Sequence, residues 1–259
     1  METTGRLRPL RLPNQQTVLQ LNAAETSLQY RKIVTERMYL QHGIALAPGS
    51  TVIDVGANVG IAALFFHWEA PGTRVYAVEP AAEMYAALED NLRRHRVDHV
   101  ALNQALGPSV AQRRLTVYPN NTSMSSVYAD HDTDRAVTRT YLSNTGLREA
   151  DVEDLMTGLH TSYEQPCTVT TLSHVIDEYG IATVDLLKLN VEKAEAEVLA
   201  GIREEHWPRL RQLTVQVHDI AGRVDELREV LRLRGYRYVT VTQDPLLTRT
   251  DIFDLFAHR

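Results

Sequence analysis

Cysteine is almost missing from this sequence. Among 259 residues only Cys167 is present, so no internal disulfide is available and no paired thiolates exist for a zinc site. A reducing cytosol is the simplest setting for such a chain. Long apolar runs are missing too: no stretch reaches the roughly 18 apolar residues needed to cross a bilayer, and the amino-terminal METTGRLRPLRLPN lacks the apolar segment of a signal peptide. A cytoplasmic protein with no membrane partner is expected. Positive charge is in short supply, 27 Lys and Arg against 33 Asp and Glu for a net charge of -6. Nothing long-ranged therefore steers a nucleic-acid polyanion to the surface. Arg93, Arg94 and Arg96, with His95 between them, read as the solvated end of a helix, where cations suit the C-terminal dipole. Internal repeats, low-complexity tracts and coiled-coil heptads are absent as well.

What is present is the composition of a globular domain, 44% hydrophobic and 23% charged. Strand-like and helix-like segments alternate. Thr51 to Val55 is a β-branched run introduced by Pro48-Gly49, the pattern of a buried parallel strand, and Ile61 to Trp68 is apolar enough for a helix packed on a sheet. A second unit repeats the plan, with a strand over Arg74 to Val78, the acid Glu79, and a helix over about Ala82 to Arg93. Val97 to Leu106 is expected as a third strand and Arg114 to Tyr118 as another strand or hairpin arm. Later come a helix at Thr171 to Tyr179, a strand at Val184 to Leu189, a helix at Glu192 to Ile202 and a strand at Leu210 to Val217. A helix at Val224 to Leu233 and a closing antiparallel pair, Tyr236 to Val241 with Ile252 to Phe256, complete the series. The rhythm is that of an α/β fold, a doubly wound and mostly parallel sheet with its ligand crevice at the carboxyl ends of the strands.

Residues 1–50 are expected to form an N-terminal cap segment and 51–259 the main domain. Within it, Ser, Thr, Asn and Asp dominate about 120–165, which reads as a polar lid on the substrate side, with helices near Asp132 to Leu142 and Glu149 to Leu159. Its first part, Asn120 to Ser126, carries hydroxyls and amides suited to closing over an acceptor, with Tyr128, Tyr141 and Tyr163 as an amphipathic lining.

Asp54-Val55-Gly56-Ala57-Asn58-Val59-Gly60 is the central motif. Gly56 permits a sharp turn and close approach to a ligand, and Gly60 permits close packing where the next helix meets the strand. Glu79 lies nineteen residues past Gly60 at a strand end, where an acid accepts hydrogen bonds from both ribose hydroxyls. A dinucleotide site usually has a further glycine where Asn58 stands, and Asp54 opposes a pyrophosphate. That carboxylate instead suits the ammonium or sulfonium of S-adenosylmethionine.

The chain resembles the FkbM family of methyltransferases in Val52 to Gly60, in Asp185 to Glu195, and in Val198-Leu199-Ala200-Gly201. It is also similar to the stand-alone natural-product members of that family in Leu12-Pro13-Asn14, in Glu25 to Tyr39, in Trp207-Pro208 and in Val217 to Ile220. The resemblance implies a class I methyltransferase fold with a seven-stranded sheet, S-adenosylmethionine as methyl donor, and an oxygen acceptor on a polyketide, peptide or sugar-derived metabolite. It carries Asp54, Gly56, Asn58, Gly60 and Glu79 to cofactor binding and likens Asn103 to Leu106 to an adenine-lining segment. Where the family usually has an acid, this chain has Asn190, an amide that orients a hydroxyl or amine but is no general base.

Four residues are candidates for catalysis: His218, Glu192, Asn190 and Asp219. His218 is the first choice for the base, because the preceding strand leaves it at the crevice and an imidazole with an ordinary pKa near 6.5 takes a proton near neutrality. Asp219 is placed to orient the ring. Glu192 opens a helix after the neighbouring strand, where it serves either chemistry or the free helix N–H groups. Glu195 and Glu197 read as helix-surface acids, and Lys188 within an apolar strand either pairs with an acid or snorkels to solvent. No metal is expected, since the amide of Asn190 and an imidazole suit magnesium poorly. The expected activity is O-methylation of a small-molecule hydroxyl, with a homodimer as the candidate assembly. N- or carboxyl-methylation and a non-catalytic cofactor-binding assembly protein are the alternatives.

Overall fold

The computed structural model describes residues 7–259. It opens with an antiparallel hairpin of β1 (Arg8–Arg11) and β2 (Thr17–Gln20), followed by helix α1 (Ala23–Tyr30) and a five-residue π-helical turn over Arg31–Thr35. Asn22 starts α1 by accepting hydrogen bonds from the backbone N–H groups of Ala24 and Glu25.

The main body then alternates: β3 (Thr51–Val55), α2 (Ile61–Glu69), β4 (Arg74–Val78), α3 (Ala82–Arg94) and β5 (Asp98–Leu102). Next come β6 (Ala105–Leu106), β7 (Ala111–Val117), α4 (His131–Asn144), α5 (Glu149–Met156) and β8 (Tyr163–Thr170). The last third holds α6 (Leu172–Glu178), β9 (Leu186–Leu189), α7 (Glu195–Ala200), β10 (Gln212–His218), α8 (Arg223–Leu233), β11 (Tyr238–Thr242) and β12 (Ile252–His258).

Seven strands form the central sheet in the order β11-β12-β10-β9-β3-β4-β5, and only β12 runs against the rest. All four residues of β9 are buried, as are Val52 to Val55 of β3. This is why these strands read as unbroken β-branched or leucine-rich runs: helices cover both faces of a parallel sheet. Chain order reverses between β3 and β9, the switch point at which α/β sheets leave a crevice.

Two apolar cores lie on the two faces. One joins β3 and β4 to α2, α3 and the N-terminal segment, and the other joins β9 and β10 to α6, α7 and α8. Buried Asn91 of α3 stitches the N-terminal hairpin to this frame. Its side chain accepts from Leu19 N at 2.7 Å and donates to Leu19 O and Val59 O.

The structure departs from the sequence reading in three places. The strand expected over Val97 to Leu106 breaks at Asn103, whose amide donates to the carbonyls of Glu79 and Pro80. Its second half, β6, joins a separate three-stranded sheet of order β6-β8-β7. Within the stretch expected as a lid, residues from Tyr163 onward belong to β8, which pairs along its length with β7. The helix expected from Glu192 begins only at Glu195, because Glu192 (φ 48°) and Lys193 (φ 78°) take left-handed backbone conformations that no α-helix contains.

Candidate active site

The turn after β3 is built by its neighbours. Gly56 has φ 73°, and a Cβ there would lie 1.8 Å from the carbonyl oxygen of Asn190. Glycine at this position lets the turn press against the loop after β9, a closer constraint than the approach to a ligand that its motif suggested. At Gly60 (φ 93°) a Cβ would meet the Leu88 side chain at 2.9 Å, so this glycine serves the packing of α2 on α3. Between them Asn58 is left-handed at φ 51°, a conformation Asn tolerates better than most residues.

Asp54 is fully buried and does not line the cavity; it sits opposite Lys188 in the β3–β9 register, with Lys188 Nζ 2.8 Å from its Oδ1. Lys188 Nζ also donates to Gly56 O at 2.7 Å and Val55 O at 3.2 Å, and it lies 5.4 Å from the Tyr39 ring centroid. Burial, the largest single influence, lowers the Lys188 pKa, and the charge and hydrogen bond of Asp54 together with the fields of Tyr39 and Glu79 outweigh it, leaving the ammonium above its usual range. The acid expected to meet a sulfonium or ammonium is thus engaged inside the protein. Of the two alternatives for Lys188, pairing is the one realised.

Glu79 closes the other side of the turn. It is buried, its Oε2 accepts from Asn58 N at 2.8 Å, and its Oε1 accepts from Ala81 N at 2.9 Å. Burial pushes its pKa up to about 7, against the opposing pull of the two N–H groups.

A roof crosses this region from the segment expected as a lid. Asn58 Nδ2 donates to Thr122 Oγ1 at 2.8 Å. From α1, Glu25 Oε2 accepts from Thr122 N at 2.9 Å, and its Oε1 accepts from both N and Oγ of Ser123. Asn22 Nδ2 donates to Asn120 O and Gln29 Nε2 to Ser123 Oγ, so the N-terminal helix and its cap grip this loop through three residues. Of the three tyrosines expected to line the acceptor space, Tyr141 does. Tyr128 instead bonds Glu197 outside the cavity, and Tyr163 lies in β8 at the surface.

The carboxyl ends of β9 and β10 hold the remaining candidates. Asn190 lines the cavity, with its Nδ2 3.4 Å from Tyr39 Oη. Glu192 also lines it, and its Oε2 lies 3.3 Å from His218 Nε2. His218 does not reach the cavity: it is 1% exposed, held between Glu192 and Glu195, whose Oε1 is 3.2 Å from Nδ1. Burial would lower its pKa, but the two carboxylates prevail and raise it to about 10. A ring that keeps both protons at neutrality is not the free base the sequence suggested. Asp219 is not beside the ring either; its Oδ1 accepts from Val224 N at 2.9 Å at the start of α8.

Glu195 was missed as a site residue. It is fully buried, bonded to His218, Lys193 N and Arg223, because α7 starts at this residue and turns it inward. Nothing in its local spacing signals this, since its side-chain partners come from β10 and α8. Among the described residues no group of three His, Cys, Asp or Glu side chains forms a metal-ligating cluster.

These parts surround a cavity of about 300 Å³ at the switch point, with Glu79, Leu106, Tyr141 and Ile252 among the residues that line it. Among the described residues no helix is long and apolar enough to cross a membrane.

Comparison with known proteins agrees with this arrangement. A family model described as the methyltransferase FkbM domain matches residues 54–238. The chain is 43% identical to the 31-O-demethyl-FK506 methyltransferase FkbM of Streptomyces tacrolimicus, with 96% of each chain covered. It is 34% identical to a part of the AMB antimetabolite synthetase AmbE of Pseudomonas aeruginosa, covering 96% of this chain and 12% of that protein. A crystal structure of methyltransferase FkbM from Methylobacillus flagellatus KT shares the fold at a TM-score of 0.52 and 14% identity, over 83% of this chain and 45% of that one. With its seven-stranded sheet of class I topology, the chain belongs to the FkbM methyltransferase family and is an S-adenosylmethionine-dependent methyltransferase.

Proposed function

We propose that this methyltransferase methylates a hydroxyl of a small-molecule natural product. The observation that carries the reading is Glu192, which lines the cavity on the turn after β9 with Asn190 and has its Oε2 against the His218 ring. The named activity of the Streptomyces relative, at 43% identity, favours the same kind of acceptor.

The residues around the glycine turn fit S-adenosylmethionine. Glu79 spends one acceptor position of each oxygen on a backbone N–H and keeps the others directed to a vicinal diol. Gln104, Ala105 and Leu106 offer a wall beside it for a flat base. Gly56, Asn58 and Gly60 shape the turn, and Asp54 acts at one remove by holding Lys188 against the Gly56 carbonyl. When bound, the cofactor supplies a methyl group already activated on a sulfonium.

On the acceptor side, Asn190 orients the hydroxyl by hydrogen bonding. Glu192 takes the proton that the oxygen sheds as the new bond to carbon forms, through the oxygen that does not face His218. A weak base is enough, because the leaving thioether is neutral and alignment of the reactants supplies much of the rate. His218 and Glu195 act behind it and hold its carboxylate in place.

The test pairs three acceptors that share one skeleton and differ in carrying a hydroxyl, an amine or a carboxylate. A mass gain of one methylene on the hydroxyl compound, with kcat falling about a hundredfold in Glu192→Gln, is the expected result. Methylation confined to the amine or carboxylate would overturn O-methylation. An undiminished kcat in Glu192→Gln would overturn the proton-acceptor role alone.

A further inference from the structure

We propose that Glu25 of helix α1 receives the ammonium at the amino-acid end of S-adenosylmethionine; the assignment rests on the cofactor reading above. Among the described residues, six charged side chains line the cavity: Glu25, Lys32, Glu79, Lys188, Glu192 and Asp244. Lys32 pairs with Asp244 and Glu36, Lys188 with Asp54, and Glu192 with His218. Among the described residues, Glu25 and Glu79 are the lining acids for which no ion pair to a cation is formed.

The two are joined by one line of contacts. Asn58 N donates to Glu79, Asn58 Nδ2 donates to Thr122 Oγ1, and Thr122 N donates to Glu25. With the base against residues 104–106 and the ribose at Glu79, the remaining end of the cofactor leaves past the glycine turn toward Thr122 and Glu25. Three donors, from Thr122 and Ser123, occupy three of the roughly four acceptor positions of the Glu25 carboxylate. One position and an uncompensated negative charge remain on the cavity wall. Filling the cavity desolvates that charge, at a cost that a cation beside it offsets. Asp54, the acid the motif suggested for this task, is committed to Lys188 away from the wall.

The competing view is that Glu25 only caps the 3-10 turn Thr122–Met124. Calorimetric titration separates the two without any methyl acceptor. Four ligands are used: S-adenosylmethionine, S-adenosylhomocysteine, its deaminated analogue, and methylthioadenosine, which lacks the amino-acid end. Glu25→Gln keeps an oxygen to accept from the roof but removes the charge, and circular dichroism verifies its folding. The expected result is a loss of about tenfold or more for the two ammonium-bearing ligands, with the other two unchanged. Ser123→Ala, which removes a roof contact and leaves the Glu25 charge, is expected to keep the wild-type ranking of the four. An equal loss for all four ligands in Glu25→Gln, or no loss for any, overturns the proposal. A wild-type protein that binds none of them, methylthioadenosine included, refutes the cofactor reading and the assignment with it.

Discussion

Lys193 Nζ lies 2.6 Å from Asp134 Oδ1, and this buried ion pair ties the turn that carries Glu192 to the first helical turn of α4. The turn needs such a tether, because non-glycine residues in left-handed conformations each cost of order 1 kcal/mol or more. Ser126 Oγ adds a second tie by donating to the Glu192 carbonyl. Replacing Asp134 with Asn removes the carboxylate paired with Lys193 and leaves it only the weaker field of Asp130. The variant is expected to lose about 3 kcal/mol of stability in chemical denaturation. Its kcat is expected to fall with little change in cofactor affinity, since the slackened turn bears the acceptor side of the cavity. A variant with full kcat would mean that α4 and the Glu192 turn are not coupled.

Asp54 and Lys188 make a testable pair of their own. Asp54→Asn strands a buried ammonium among the carbonyls of Val55 and Gly56, and about 3 to 5 kcal/mol of stability should be lost. The double variant Asp54→Leu with Lys188→Met removes both charges and should recover most of that loss. Because Lys188 Nζ also holds the Gly56 carbonyl, the double variant should still bind S-adenosylmethionine more weakly than the wild type. Denaturant melts and cofactor titrations on the three proteins check this; a stable Asp54→Asn would mean that Lys188 tolerates burial without its partner.

Glu79 sets an expected pH dependence. Its pKa, near 4.5 in the ordinary case, stands at about 7 in the fold. The folded chain therefore binds this proton more tightly than the unfolded one, and folding stability from this group declines as pH rises from 4.5 to about 7. A ribose diol donates to the ionised form, so cofactor affinity should run the other way. Below pH 7 it should weaken by up to about tenfold per unit. Glu79→Gln should bind weakly at every pH, with that dependence gone. Wild-type affinity that stays level from pH 5 to 8 would remove the ribose assignment.

The parts of the molecule that were legible in the sequence are those whose residue pattern is dictated locally. Strands β3, β4, β9 and β10 are buried on both faces and spell that out as apolar runs, and Glu79 follows one of them at a strand end. Strand β8 was not legible. Its run Tyr163-Glu164-Gln165-Pro166 is largely exposed and reads as loop, and only pairing with β7 makes it a strand. The roles of Glu195 and His218 were hidden for a different reason. His218 was rightly put at a strand end, but its protonation is governed by two acids more than twenty residues away in the chain. Glu195 faces inward only because two left-handed residues delay the start of its helix.

His218 supplies the sharpest distinction between the two readings of the site. A solvent-facing strand-end imidazole would titrate near 6.5, whereas the buried ring between Glu192 and Glu195 holds its proton up to about 10. The raised value means that the ring's contribution to stability is fully present below 6.5 and is lost as pH rises through about 10. The steepest slope this group can impose is about 1.4 kcal/mol per pH unit. Carbon-13 spectra of histidine-labelled protein, with the resonance assigned by His218→Gln, should therefore show an imidazolium across pH 6 to 9. Thermal melts should fall from about pH 6.5 upward through that range. The pH–rate profile should in turn lack a limb near 6.5 that disappears in His218→Gln. A His218 resonance that titrates between pH 6 and 7 would restore the ring as a free base and displace Glu192 from that role.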